Sequence, residues 1–423
     1  MRLDRLHIKN FRCYEDATFD FQPGFNLVVG VNGSGKTSLL QAAAASFHEF
    51  GAVMASDSLK LNDENVRFFI DKFEGRSRFE RKFPHLIEAK GKLLGASEWK
   101  IIRQAIESPH LTDTGVADEL FELTNKINRR EQIDLPVLAF YRSNRRWKAA
   151  GVSAESAAQQ KISRYDGYSN WLDAVTDLKD FETWLIGRTL DRIQDMLDSG
   201  SASSEFDDEL AWVNAAIQIA LPDVRDLRYD LRLQSLLIDF HGGVTVPFNE
   251  LSDGQRGMIA LFADIARRMC ILNPHMGMNV LTRTSGVVII DELDIHLHPA
   301  WQRSIAPALK QAFPKVQFIA ASHSPQIIGS LRPEEVVVLN NGDPSHPQVT
   351  YGLDSSSVLE EVMGVKQREP EIENLLSELF STLEDNDLKK AKSQLAALKK
   401  KAPDLPEFAG AEALIRRKEI LGK

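Results

Sequence analysis

The stretch Gly30-Val31-Asn32-Gly33-Ser34-Gly35-Lys36-Thr37 carries the pattern G-x-x-x-x-G-K-[ST] in full. Glycines at these steps let backbone N–H groups wrap phosphate oxygens without side-chain interference. A helix starting at Lys36 adds its N-terminal partial charge to the same anion site. In such loops the lysine reaches the β- and γ-phosphates, and the hydroxyl after it holds Mg2+. The pattern predicts a site for ATP with Mg2+, formed by Asn32, Gly33, Ser34, Gly35, Lys36, Thr37 and Ser38.

Three further stretches bear on the same chemistry. Val287-Val288-Ile289-Ile290 is an apolar run that ends in Asp291-Glu292. An Asp at such a strand end completes the Mg2+ shell begun by Thr37. Glu292, one residue on, is placed to orient or deprotonate an attacking water. Strands ending in two acids are common, and the glycine loop upstream is what makes this pair specific. Leu251-Ser252-Asp253-Gly254-Gln255 precedes a long apolar helix, and Ser and Asp are good helix caps. Ser322-His323-Ser324-Pro325 follows a strand, and a histidine standing there alone reads as structural.

In this order the four stretches resemble the ABC-type ATPase head of SMC, RecF and OLD-like proteins. The resemblance is most specific at Ile8-Lys9-Asn10-Phe11-Arg12, at residues 291–299 and at residues 322–326. It implies that Leu251–Gln255 is a variant of the L-S-G-G-Q signature, with Asp253 in place of a glycine. Ser252 and Gly254, with Gln255 beside them, would then bind the γ-phosphate held by a second subunit, whatever capping Ser252 also does. It implies that Arg12 lies near the nucleotide and that Asp294 sits in the loop at a dimer interface. It also implies that His323 is the switch histidine on the γ-phosphate. Residues 62–67 stand where the family's Q-loop glutamine belongs and contain no Gln.

Residues 135–147, with Arg145, Arg146 and Trp147, and the tail from Tyr351 to Arg368 look like a bacterial group of ATP-binding proteins. That group includes the ATPase subunit of Septu-type antiphage systems. The likeness implies an ATPase that closes as a homodimer, or a higher oligomer, and regulates a separate nuclease-type partner, with DNA contacted through the complex. No His-Asn-His arrangement is visible, and the C-terminal residues are too few and too helical for the Toprim nuclease of OLD-type proteins. The rival reading is a DNA repair ATPase of the RecF or SMC kind. A third is a clamp that uses ATP only as dimer glue, against which Glu292 argues.

The elements that must position these residues read as an α/β fold. It is an ABC-type P-loop head with a mostly parallel sheet, a helical insertion and a C-terminal helical cap. Strands are expected before residue 30, near 82–104 as a hairpin, at 135–141, 233–240, 244–248, 286–291, 316–320 and 335–339, and helices at 112–132, 258–272 and 299–312. Trp171, Leu172, Val175, Leu178, Phe181, Trp184 and Leu185 recur at helical spacing, and a Ser-rich break follows at 199–204. The boundaries are 1–150 for the lobe with the glycine loop, 151–225 for the insertion, 226–365 for the second lobe and 366–423 for a partner-docking segment. In that last segment Leu379 and Phe380 are taken as docking residues.

The chain has 423 residues and a net charge of −9, which disfavours coating of nucleic acid by the whole surface. The basic runs Arg142, Arg145, Arg146, Lys148 and Lys389, Lys390, Lys399, Lys400, Lys401 read as solvated faces. Two distant cysteines, Cys13 and Cys270, give neither a disulfide framework nor metal-ligand spacing, and Cys270 reads as core. No apolar run reaches membrane-span length and no leader is visible, so a cytoplasmic protein is expected.

Overall fold

The computed structural model describes residues 1–56, 59, 61–73, 76–145, 147–174, 178–199, 206–340, 342–364 and 369–421. Arg146, Val175, Arg368 and residues 200–204, named above, lie outside the described residues. The chain divides into two compact units, Met1–Val358 and Leu359–Lys423.

In the first unit β1 (Arg2–Phe11) and β2 (Tyr14–Asp20) precede β3 (Phe25–Val29), α1 (Lys36–Ser46) and α2 (His48–Met54). β4 (Phe68–Phe73), β5 (Arg76–Arg81), β6 (His85–Leu93), β7 (Ala96–Arg103) and β8 (Leu111–Asp113) follow, then α3 (Ala117–Asn128) and β9 (Val137–Tyr141). Next come α4 (Ala154–Gln159), α5 (Lys179–Ser199), α6 (Glu209–Ala220), β10 (Val224–Asp230), β11 (Ser235–Phe240) and β12 (Thr245–Pro247). α7 (Asp253–Leu272), α8 (Val280–Arg283), β13 (Gly286–Ile290), α9 (Pro299–Ala312), β14 (Val316–Ala321) and α10 (Pro325–Ile328) carry the later motifs. β15 (Val336–Asn340), β16 (Asp343–Ser345) and α11 (Ser355–Ser357) close the unit.

The main sheet has the order β16-β15-β3-β14-β13-β9, and only β16 runs antiparallel to its neighbour. Its strands β3, β14, β13 and the edge strand β9 are buried at every position, as parallel strands covered on both faces must be. A second sheet, β2-β1-β6-β7-β8, is antiparallel throughout. α1 packs on strands of both sheets, which explains its run of buried Leu39, Leu40 and Ala42 to Ala45. Buried Gln317 joins the sheets directly. Its Nε2 donates to the carbonyls of Leu3 (2.6 Å) and Gln22 (2.8 Å), and its Oε1 accepts from Leu3 N at 2.8 Å.

The helices of residues 151–225 do not form a separate body. Trp171 is fully buried, and a Cβ on Gly51 of α2 would meet its indole at 2.4 Å. α6 packs along α7 and α9. The hairpin β4–β5 and the strand β10 were not expected, and the segment 112–132 yields only α3 behind the short strand β8. Cys270 is buried in α7 and Cys13 is exposed. Among the described residues no helix is long and apolar enough to cross a membrane.

The second unit is three helices, α12 (Pro370–Glu384), α13 (Leu388–Lys401) and α14 (Glu407–Leu421). Leu376, Leu379, Leu383, Leu395, Leu398, Phe408 and Ile415 fill their common core. Leu379 is fully buried there, so the expectation that it docks a partner is corrected. Phe380 is partly buried against the same cluster. Lys399 pairs with Glu412 at 2.5 Å and lies over the Phe408 ring, so this part of the basic run is paired within the unit.

Candidate functional site

Parallel strands bring their carboxyl ends to one edge, which is where ligands bind in open α/β sheets. In the order β3, β14, β13, β9 those ends lead into the glycine loop, His323, Asp291-Glu292 and Arg145. Sheet topology therefore gathers four stretches scattered between Gly30 and His323. One cleft at this edge is lined by Cys13, Asn32, Gly33, Gly35, Lys36, Thr37, Ser38, Asp291, Glu292 and His323.

The loop is held from behind. Gly35 caps α1 in the left-handed region (φ 104°), and the Tyr14 hydroxyl donates to its carbonyl at 3.0 Å. A Cβ on Gly35 would lie 2.6 Å from that hydroxyl and 2.9 Å from Cys13 Sγ, so only glycine fits. The Lys36 ammonium donates to the carbonyls of Gly30 (2.9 Å) and Val31 (3.0 Å), inside its own loop. Burial lowers its pKa, opposed by Asp291, Asp294 and Glu292. Ser34 is buried, its hydroxyl has no hydrogen-bond partner among the described residues, and it does not line the cleft.

Thr37 Oγ1 donates to Asp291 Oδ2 at 3.0 Å, joining the two expected Mg2+ ligands across the sheet. Mg2+ typically takes one or two protein oxygens and fills its shell with water and phosphate, and this pair fits that habit. Glu292 is exposed and its backbone is left-handed (φ 48°). For a residue with a Cβ that conformation costs about 1 kcal/mol or more and persists only where its surroundings hold it. The Arg145 guanidinium does the holding. Nη1 donates to the carbonyls of Tyr141 (3.1 Å), Arg142 (3.0 Å) and Asp291 (2.7 Å), and Nη2 donates to that of Glu292 (3.1 Å). Burial brings the Arg145 pKa down to about 10, against the pull of Asp291 and Glu292. The sequence marked Arg145 in a basic run and in the stretch that resembles the bacterial ATP-binding group, but nothing in its spacing foretold this contact.

His323 lines the cleft, and its loop is fixed by Asp294. Asp294 Oδ1 accepts from Ser322 Oγ at 2.6 Å and from the His323 amide at 3.4 Å. Burial lowers the His323 pKa, with Lys36 adding to the effect and Asp294, Glu292 and Asp291 opposing it. Arg12 stands beside the cleft residue Cys13 in a left-handed turn (φ 48°), and its Nε is buried without a hydrogen-bond partner among the described residues. The 62–67 segment packs onto that turn. The Arg12 amide donates to the Asn65 carbonyl (2.8 Å), and Arg67 Nη1 donates to the Cys13 carbonyl (2.9 Å).

Ser252, Gly254 and Gln255 are not among the residues lining this cleft. Ser252 is exposed at the N-cap of α7, where its Oγ accepts from Gln255 N at 3.3 Å and its amide donates to Gln255 Oε1 at 3.2 Å. Asp253 forms an ion pair with Arg256, which also donates to the Asn249 carbonyl at 2.7 Å. The carboxylate that replaces a signature glycine thus has its own counter-ion. Gly254 is a close approach: a Cβ there would lie 2.5 Å from the His296 carbonyl oxygen.

A phosphate cradle with its lysine, two adjacent acids and a histidine thus meet on one sheet edge, the set of groups that nucleotide phosphates with Mg2+ call for. Retron Ec83 probable ATPase of Escherichia coli is 39% identical over 163 residues, 38% of this chain and 30% of that protein. Septu protein PtuA of Bacillus thuringiensis is 26% identical over 228 residues, 50% of this chain and 54% of that protein. The DNA replication and repair protein RecF of Salmonella schwarzengrund is 27% identical over 351 residues, 76% of this chain and 94% of that protein. The chain thus matches under a third of the Escherichia coli relative's length and about half of the Bacillus one. Residues 25–329 match a family model, and the chain belongs to that family, described as "AAA domain, putative AbiEii toxin, Type IV TA system".

Proposed function

We propose that the chain binds ATP with Mg2+, hydrolyses it in a head-to-tail homodimer, and through that cycle regulates a separate nuclease-type effector of an antiphage system in the cytoplasm. The observation that carries the dimer is the split of the site. The cleft holds Lys36, Thr37, Asp291, Glu292 and His323, while the exposed Ser252 N-cap, itself a ready anion site, lies off it. A second copy would bring its Ser252, Gly254 and Gln255 to the γ-phosphate.

In this reading bound MgATP supplies the γ-phosphoryl group, with Thr37 and Asp291 as the protein's metal ligands. Glu292 takes a proton from the attacking water, whose oxygen bonds to the γ-phosphorus as the bond to the β–γ bridging oxygen breaks. His323 and Lys36 face the phosphate and stabilise its charge, and ADP and phosphate leave. The antiphage role rests on the likeness to a Septu protein and to a retron probable ATPase.

The test is the hydrolysis rate per subunit against protein concentration, with Glu292→Gln beside it. The specific rate should rise with concentration and level off. Glu292→Gln should lose about 100-fold or more in rate, as removal of a general base does, and accumulate as an ATP-bound dimer in light scattering. A constant specific rate with a monomeric Glu292→Gln protein in ATP would overturn the dimer. Purification of the tagged protein from its host, with intact-complex masses at high and low ATP, tests the effector. The second reading, a RecF-like DNA repair ATPase, has in its favour a relative covered over 94% of its length. A homodimer that forms with ATP and carries DNA, with no nuclease, would put it first.

A further inference from the structure

Residues 141–145 at the end of β9 and residues 147–149 are tied, respectively, to the acidic pair and to the loop before the signature helix. At one end the Tyr141 carbonyl accepts from the Asp291 amide at 2.8 Å, and Arg145 donates to the carbonyls of Asp291 and Glu292. At the other the Ala149 amide donates to Asn249 Oδ1 at 3.0 Å, two residues before Leu251. Between them buried Trp147 sits against α7, its Nε1 lying 3.5 Å from where a Cβ on Gly257 would stand. Tyr141 also reaches α7, through a 2.8 Å bond from its hydroxyl to Asp264.

We infer that Arg145 is a positioning residue for Glu292, and that Tyr141 to Arg145 and Trp147 to Ala149 act as a strap linking the base to the signature end of the same chain. This rests on the proposed role of Glu292. The physical case begins with the left-handed Glu292 backbone, which needs a restraint. A planar guanidinium with several fixed donors can hold carbonyls from two segments at once, and lysine's single ammonium cannot match that geometry. Among the described residues the hydrogen bonds of Arg145 all go to backbone oxygens, and it does not line the cleft, so it directs the Glu292 side chain from behind. Because Asn249 and Gly257 flank the signature, a shift of that end on meeting a partner's nucleotide would pull on the carbonyls that set the base. The strap is thus a route by which one ATP site reports to the other.

The experiment compares Arg145→Ala, Arg145→Lys, Asn249→Ala and Glu292→Gln in the full chain. Maximal hydrolysis rate, nucleotide affinity and melting temperature are measured for each. Arg145→Ala should lower kcat about 100-fold, the size expected of roughly 1 Å of misplacement, with nucleotide affinity held within about threefold. Arg145→Lys should recover part of the rate. Asn249→Ala loosens the far end without leaving a buried cation, and should lower kcat more mildly with affinity unchanged. Wild-type kcat in both Arg145→Ala and Asn249→Ala overturns the inference, as does a loss of rate matched by equal losses of affinity and melting temperature. If Glu292→Gln loses hydrolysis and the strap variants do not, the base reading stands and the strap falls. If Glu292→Gln hydrolyses normally, the base reading falls first and the strap with it.

Discussion

Gly254→Ala separates two reasons for a glycine in the signature. An added Cβ would lie 2.5 Å from the His296 carbonyl oxygen and 3.2 Å from Trp301 Cζ3. Ordinary contacts begin near 3.5 Å, so the start of α7 and the 294–298 turn must part by about 0.5–1 Å. The oxygen belongs to backbone in a left-handed turn (His296 φ 60°), which cannot swing aside as a side chain could. Overpacking of this kind costs about 1–3 kcal/mol, or roughly 2–6 °C in melting temperature for a domain of this size class. The displaced turn also carries Asp294, which holds Ser322 and the His323 amide, so hydrolysis should fall by about 100-fold. Binding of a fluorescent ATP analogue to the glycine loop should stay near wild type. The assays are melting without nucleotide, analogue binding and steady-state hydrolysis. A glycine needed only for a partner's phosphate would lose hydrolysis with unchanged melting of the free chain. That result, or wild-type values throughout, would refute the close-approach argument.

Two further predictions concern buried polar groups. Asp264 accepts from Arg267 (2.7 Å), Arg268 (2.8 Å) and the Tyr141 hydroxyl (2.8 Å) with no exposure of its own, so Asp264→Ala strands two cations and should cost about 3–5 kcal/mol in a denaturant titration. His85 stacks on Phe11 at 5.5 Å with both ring nitrogens buried and without a hydrogen-bond partner among the described residues, and burial, with His110 and Arg103 nearby, pushes its pKa down to about 4 from 6.5. A lowered histidine pKa means the unfolded chain binds the proton first, so stability is complete above pH 6.5 and falls by roughly 3 kcal/mol as pH drops toward 4. His85→Phe should flatten that part of the stability–pH curve, and an unchanged slope would remove His85 as its cause.

The parts of the site legible in the sequence were those whose chemistry is local. A phosphate cradle needs its glycines, lysine and threonine consecutive at one strand–helix junction, so residues 30–37 announce themselves. Asp291-Glu292 was legible because a buried strand precedes it. Arg145 and Tyr14 were not, because each acts on backbone atoms brought near only by folding: Arg145 reaches across from β9 to the end of β13. The parallel core was readable from continuous apolar runs such as residues 286–290. The hairpin β4–β5 was missed because an exposed two-stranded ribbon has no core face to impose a pattern, and Phe68, Ile70 and Phe79 all stand exposed. Leu379 was misassigned because an amphipathic stripe looks the same whether it faces a partner or the neighbouring helices of its own unit.

Strand order explains why the site tolerates such dispersion along the chain. β14 lies between β3 and β13, so the histidine loop at its end falls between the glycine loop and the acidic pair, and no long-range side-chain design is needed to place it. The Thr37–Asp291 bond follows from the same geometry. β9, on the far side of β13, could have ended in any loop. It ends instead in a segment that clamps the carbonyls of its neighbour and then packs against the loop before the signature helix and that helix itself. The three inner strand ends bring the glycine loop, the histidine loop and the acidic pair together within one chain. The fourth ties the Glu292 carbonyl to a segment that also contacts the residues flanking Ser252, so substitutions there should change rate and cooperativity before they change affinity.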